Sequence, residues 1–131
     1  MHFNAGHRLH NPALSDDENR LLYGKCNNPS GHGHNYVLEV TLRGDIDPQI
    51  GAFVNADQAA LIVWREVLDH ADHRNLNTDV PFMKDTIPTS ENLARAIYRE
   101  LERGALGQWL WEIKVHESEN NAATYRENAG L

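Results

Sequence analysis

From His32 to Arg43 the sequence reads HGHNYVLEVTLR, with Tyr36, Leu38, Val40 and Leu42 on one parity and Val37, Glu39, Thr41 and Arg43 on the other. That period is the mark of a half-buried strand, because successive side chains of an extended backbone point to opposite faces. Any fold open to this chain must contain that strand. His32 and His34 share the parity of Tyr36, so an extended His-Gly-His offers both imidazoles on one side, and Gly33 leaves room between them.

The remaining pattern places strands at both ends and helices between them. Asp47-Pro48 and Gly51 mark a turn, and Asn55 with Gln58 three residues on resembles a capping box. Ala60, Val63, Trp64, Val67 and Ala71 follow at helical spacing as a buried stripe. After a looser segment, Pro88, Thr89 and Ser90 open a second helix with Glu91 in its first turn, an apolar face of Leu93, Ala94, Ile97 and Leu101, and Gly104 and Gly107 at its end. Trp109, Trp111, Ile113 and Val115 then alternate with Leu110, Glu112, Lys114 and His116 as another strand, and Asn120-Asn121 turns into a last one ending at Tyr125. With His2 to Leu9 as the first strand, the expected order is ββααββ in a single α+β domain over residues 1–131.

Charge and cysteine usage exclude several functions. The formal net charge of −7 argues against nucleic-acid binding, which depends on clustered Lys and Arg. Arg8, Arg20, Lys25 and Arg74 are scattered along the sequence, so an anionic ligand must be met locally. The longest apolar run, Ala59 to Trp64, is far short of the roughly 20 residues that span a bilayer. Nothing at the start resembles an export signal, and the single cysteine, Cys26, has no intramolecular disulfide partner. The expectation is a soluble, cytoplasmic protein without membrane or nucleic-acid partners.

The chemistry concentrates in the run CNNPSGHGHNY, residues 26–36. Two imidazoles on one face, flanked by glycines, suit a borderline-soft divalent metal, and a catalytic zinc usually keeps three protein ligands and an open position. His7, on the adjacent strand, is the best third imidazole. His2, His10, His70 and His116 are read as surface or hydrogen-bonded histidines. A structural zinc finger needs four closing ligands, usually with several thiolates, and this chain has one cysteine. Spacing leaves Cys26 open between a metal ligand and a base beside the metal.

Five stretches in register, HFNAGHRL, YGKCNNPSGHGHNY, LDHADHRNLN, PTSEN and VHESENNAATY, resemble the 6-pyruvoyl-tetrahydropterin synthase and 6-carboxy-tetrahydropterin synthase family over nearly the whole chain, from about Phe3 to Tyr125. The resemblance implies the tunnelling fold: a four-stranded antiparallel sheet with two helices on one face, closed with other copies into an oligomeric barrel. Trimers or dimers of trimers (homohexamers) are implied, with active sites between subunits. Family members carry several residues before the first motif, so a short first strand is expected.

By position, the resemblance makes His7, His32 and His34 ligands of Zn2+ and Cys26 the catalytic base. Asp72 and His73 match a catalytic Asp-His pair; Asp69-His70 is a decoy, because only the later pair is followed by Arg74-Asn75-Leu76. Glu117 matches the acid that binds the amino edge of a pterin, and Thr89, Ser90 and Glu91 match the segment completing its pocket. The implied substrate is 7,8-dihydroneopterin triphosphate, which loses triphosphate without an external redox cofactor. The Cys26-to-His32 spacing resembles that of enzymes making 6-pyruvoyl-tetrahydropterin for tetrahydrobiopterin biosynthesis. The alternatives are a 6-carboxy-5,6,7,8-tetrahydropterin synthase of the queuosine and deazapurine pathway, and a non-catalytic, zinc-stabilised pterin-binding oligomer.

Overall fold

The computed structural model describes residues 1–127. Five strands form one mixed sheet in the order β3-β1-β2-β4-β5. β1 (His2–His7) and β2 (His32–Leu42) run antiparallel, with His7 opposite His32 and Ala5 opposite His34. The second half of β2 pairs antiparallel with β4 (Leu110–Ser118), and β4 pairs with β5 (Asn121–Tyr125). β2 is thus the strand its alternation requires, and it joins the site-bearing half of the sheet to the structural half.

The expected four-stranded antiparallel sheet is corrected by β3 (Arg74–Asn75), two residues that pair parallel to β1. Both are exposed, and two residues are too few to show a period, so no sequence pattern announces them. A further correction is α1 (Asp16–Tyr23), absent from the expected order ββααββ. Ser15 and Glu18 close a complete capping box at its start. Only Asn19 of this helix is buried, so an apolar stripe could not reveal it.

α2 (Ala56–Val63) begins where Asn55 accepts the amide of Gln58 at 3.0 Å. It passes through a π-helical turn (Trp64–Leu68) into α3 (Asp69–Ala71). The wider turn lets the successive residues Val67 and Leu68 both face the core. The buried stripe is therefore Ala59, Val63, Val67, Leu68 and Ala71, while the expected Ala60 and Trp64 are only half-buried. α4 (Ser90–Glu102) follows the sequence reading: Thr89 caps it, and Leu93, Ala94, Ile97, Tyr98 and Leu101 are buried. In β4 a register shift opposite Thr41 and Leu42 breaks the expected alternation, burying Leu110 with Ile113 and Val115 and leaving Trp111 beneath the Arg43 guanidinium, 4.1 Å from the ring centroid.

The core lies between one sheet face, carrying Phe3, Ala5, Tyr36, Leu38, Ile113 and Val115, and the helical layer of α2 to α4. Phe3 and Tyr36 stack with ring centroids 4.9 Å apart. His7, His32 and His34 extend the same face beyond this pair, so the core side of the sheet becomes the floor of the site. Among the described residues no helix is long and apolar enough to cross a membrane.

Candidate active site

Cross-strand pairing sets His7 directly opposite His32, and the two-residue period of β2 adds His34 on the same face. One ligand atom from each ring can be chosen so that all three lie within 4.8 Å of one another. The rings stand roughly edge to face, with centroids 4.7 to 5.0 Å apart. His7 is almost fully buried, and its Nδ1 donates to the Pro88 carbonyl at 2.8 Å. That bond keeps the proton on Nδ1 and turns the Nε2 lone pair toward His32 Nε2, 3.1 Å away. The Tyr36 hydroxyl oxygen also lies 3.3 Å from His7 Nδ1.

Two buried nitrogens of this cluster, His32 Nδ1 and His34 Nε2, have no hydrogen-bond partner among the described residues. His34 Nε2 is 3.2 Å from Glu117 Oε1 but outside hydrogen-bonding alignment. Burial lowers the pKa of His7 and of His34, which keeps them in the neutral form that binds metals. Three converging imidazoles, with His7 and His34 kept neutral, fit a metal ion.

Glu117 enters from β4, its side chain largely buried. Ser90, the first residue of α4, donates from Oγ to Glu117 Oε2 at 2.8 Å. Ser90 therefore holds the carboxylate, a role that the sequence signal of a helix start does not disclose. Thr89 caps α4 through the Asn92 amide, and Glu91 is exposed on its first turn. A cleft of about 670 Å³ opens beside His34, Glu117, His116 and Ser118, within the roughly 300–1,000 Å³ typical of small-molecule sites.

Cys26 sits half-buried in the 3₁₀ turn Gly24–Asn27 that follows α1. Its carbonyl accepts the Leu9 amide at 2.8 Å, tying the cysteine turn to the chain just past His7. Burial, and after it the charge of Glu117, push the thiol pKa up. The protein alone therefore favours the thiol, and a nearby cation is what would reverse that.

Asp72 and His73 follow α3. Asp72 accepts the Asn4 amide at 2.9 Å and lies 3.0 Å from His73 Nδ1; the amide bond, then the imidazole, lower its pKa. His73 has φ +58°, a left-handed conformation uncommon outside glycine, and its side chain is 75 % exposed. It shares with His34 the lining of a second cavity of about 420 Å³. No hydrogen bond among the described residues joins this pair to Cys26. The decoy Asp69 and His70 are both exposed on α3. Of the other histidines, His2 is exposed, His10 bonds Asn27 and His116 pairs with Glu39.

A 6-pyruvoyl tetrahydrobiopterin synthase of Poecilia reticulata is 44% identical over 124 residues, covering 95% of this chain and 84% of that protein. The solved structure of Caenorhabditis elegans 6-pyruvoyl tetrahydropterin synthase superposes with TM-score 0.91 at 42% identity, covering 97% of this chain and 91% of that one. A putative 6-carboxy-5,6,7,8-tetrahydropterin synthase of Archaeoglobus fulgidus is more distant, 33% identical over 72% of this chain and 75% of its own length. The family model described as 6-pyruvoyl tetrahydropterin synthase matches residues 1–128. With that match across a domain whose three imidazoles converge on one sheet face, the chain belongs to the 6-pyruvoyl tetrahydropterin synthase family.

Proposed function

We propose that this protein is a zinc-dependent 6-pyruvoyl-tetrahydropterin synthase, a lyase that converts 7,8-dihydroneopterin triphosphate to 6-pyruvoyl-tetrahydropterin and triphosphate. The observation that carries the reading is the cage of His7, His32 and His34 with Glu117 at its rim, while the turn that carries Cys26 is tied by its backbone to Leu9, two residues past His7. The higher identity to a pyruvoyl-type relative than to the carboxy-type one supports the pyruvoyl product.

Glu117, held by Ser90, accepts hydrogen bonds from the amino edge of the pterin, a donor pair that matches two carboxylate oxygens. Thr89 and Glu91 lie at the same helix start and complete that pocket. His7, His32 and His34 would hold the zinc ion, which when bound would supply Lewis-acid polarisation of the side-chain hydroxyls and favour the thiolate of Cys26. Cys26 removes a carbon-bound proton from the substrate side chain. His73, oriented by Asp72, returns protons as the hydroxyls become ketones and triphosphate leaves with its bonding electrons. Hydrogens move only within the substrate, so no external oxidant or reductant is required.

The exposure of His73 suits a site completed between copies of the chain, in a trimer or a dimer of trimers. The test is anaerobic incubation of the zinc-loaded protein with 7,8-dihydroneopterin triphosphate and identification of products by mass spectrometry. The expected product is 6-pyruvoyl-tetrahydropterin, lost in Cys26→Ala while metal content is kept. A 6-carboxy product with acetaldehyde would reassign the branch, and no turnover by an assembled, metal-replete protein would leave a pterin-binding oligomer.

A further inference from the structure

The cations that lie scattered along the sequence do not stay scattered in the fold. Arg8, Arg20 and Lys25 line one cavity of about 280 Å³, with Asp16 as its one acidic lining residue. The cavity is walled by Gly24, Asn27 and Asn28, the residues flanking Cys26, and Arg8 is the residue after His7. It therefore adjoins both the thiol turn and the imidazole cage along the chain.

Its central cation is held in place. The Arg8 amide donates to Asn77 Oδ1 at 2.7 Å, and Asn77 Nδ2 returns a bond to the Arg8 carbonyl at 2.9 Å. Arg8 Nε donates to the Asn27 carbonyl at 3.0 Å, and among the described residues its terminal guanidinium nitrogens have no other hydrogen bond. Asn27 is itself buried, with Nδ2 donating to the Leu9 carbonyl at 2.8 Å. Lys25 has no ion pair among the described residues, and Arg20 pairs only with the exposed Asp17 on its own helix. Three cations lining one cavity, in a protein of net charge −7, mark a place for a compact polyanion. Screening over roughly 8 Å at physiological salt leaves the local charges, not the net charge, to decide what binds there.

We propose that Arg8, Arg20 and Lys25 form the subsite that holds the triphosphate tail of the substrate, with the terminal nitrogens of Arg8 as its fixed donor. This rests on the pterin triphosphate reading above and assigns the part of the substrate that the imidazole cage and Glu117 do not hold. Guanidinium forks and an ammonium meet phosphate oxygens with charge-assisted bonds. Arg20 would exchange Asp17 for the ligand.

The test is calorimetric titration of the full-length protein with inorganic tripolyphosphate, a readout that needs no turnover. The expected result is binding that weakens as salt is raised and falls about tenfold or more in Arg20→Gln and in Lys25→Gln, both at exposed positions. Arg8→Gln should lose as much. Asp16→Asn should bind tripolyphosphate more tightly, a gain that misfolding does not produce. Unchanged affinity in the Arg20, Lys25 and Asp16 variants would overturn the assignment, as would binding abolished by His34→Ala alone, which would place the anion on the metal. A protein that turns over the substrate yet shows unchanged tripolyphosphate binding in the variants loses this subsite and keeps its function. Loss of binding in the variants of a protein without turnover supports the subsite and removes the catalytic reading.

Discussion

Gly31 packs its backbone closely against the end of β1, next to the His7 carbonyl. It has φ +73°, and a Cβ there would come within 3.0 Å of the His7 carbonyl oxygen. Gly31→Ala should therefore destabilise the fold by about 1–2 kcal/mol from backbone conformation alone and should also weaken metal binding, read by thermal melting and by metal titration. A Gly31→Ala variant with unaltered metal affinity would show that the cage tolerates movement of β1 against β2. The histidines make a second prediction at this scale. Burial lowers His7 and His34 below their ordinary 6.5, so above pH 6.5 native and unfolded chains both hold these rings neutral and their full contribution is present. As the pH falls below 6.5, the unfolded chain takes up protons the native one resists, and stability declines until the pH passes below the lowered folded values. The melting temperature of the metal-free protein should fall as the pH is lowered through 6.5 toward the depressed folded values. The slope should be shallower in His7→Asn, whose amide can still donate to the Pro88 carbonyl.

At the scale of elements, the end of α4 is the least forgiving junction. A Cβ at Gly107 would lie 2.1 Å from the Glu102 carbonyl oxygen, a backbone atom that cannot step aside. At Gly104 the collision is with the carboxylate of Glu66, which can rotate away while giving up its bond to the Ala105 amide, 3.2 Å long. Gly107→Ala should thus cost about 1–3 kcal/mol and more than Gly104→Ala, measured by urea unfolding. Equal losses would mean that the turn after α4 repacks. The comparison matters for function because α4 presents Ser90 at its other end, and a shift along the helix axis would loosen the Ser90 bond that holds Glu117.

At the scale of the whole molecule, the chain leaves apolar side chains in water: Leu21 and Leu22 on α1, Ile46 and Ile50 in the loop after β2, and Leu61 on α2. If Asp72 and His73 of one copy serve the Cys26 of another, Cys26→Ala and His73→Ala should each be inactive alone. Mixed oligomers formed by unfolding and refolding the two together should regain part of the activity. Failure of the mixture to recover any turnover, with oligomers verified by light scattering, would place the whole site within one chain.

Local pattern determined the elements that run long enough to repeat or that follow a turn signal: β2 and β4 from their alternation, α4 from its apolar face and cap, and β5 from the Asn120-Asn121 turn before it. The same period put His32 and His34 on one face before any fold was known. The capping box at Ser15 was also legible, though α1 has no apolar stripe to draw attention to it. Tertiary structure decided what depends on residues distant in sequence. It paired β3 with β1 and widened one helical turn to bury Leu68. It gave His7 its tautomer through Pro88, 81 positions away, and set Ser90 against Glu117, 27 positions away. It also gathered Arg8, Arg20 and Lys25 around one cavity. Local patterns record which face of an element is buried; which faces meet is set by strand register and chain reversal, and those carry no short-range signature.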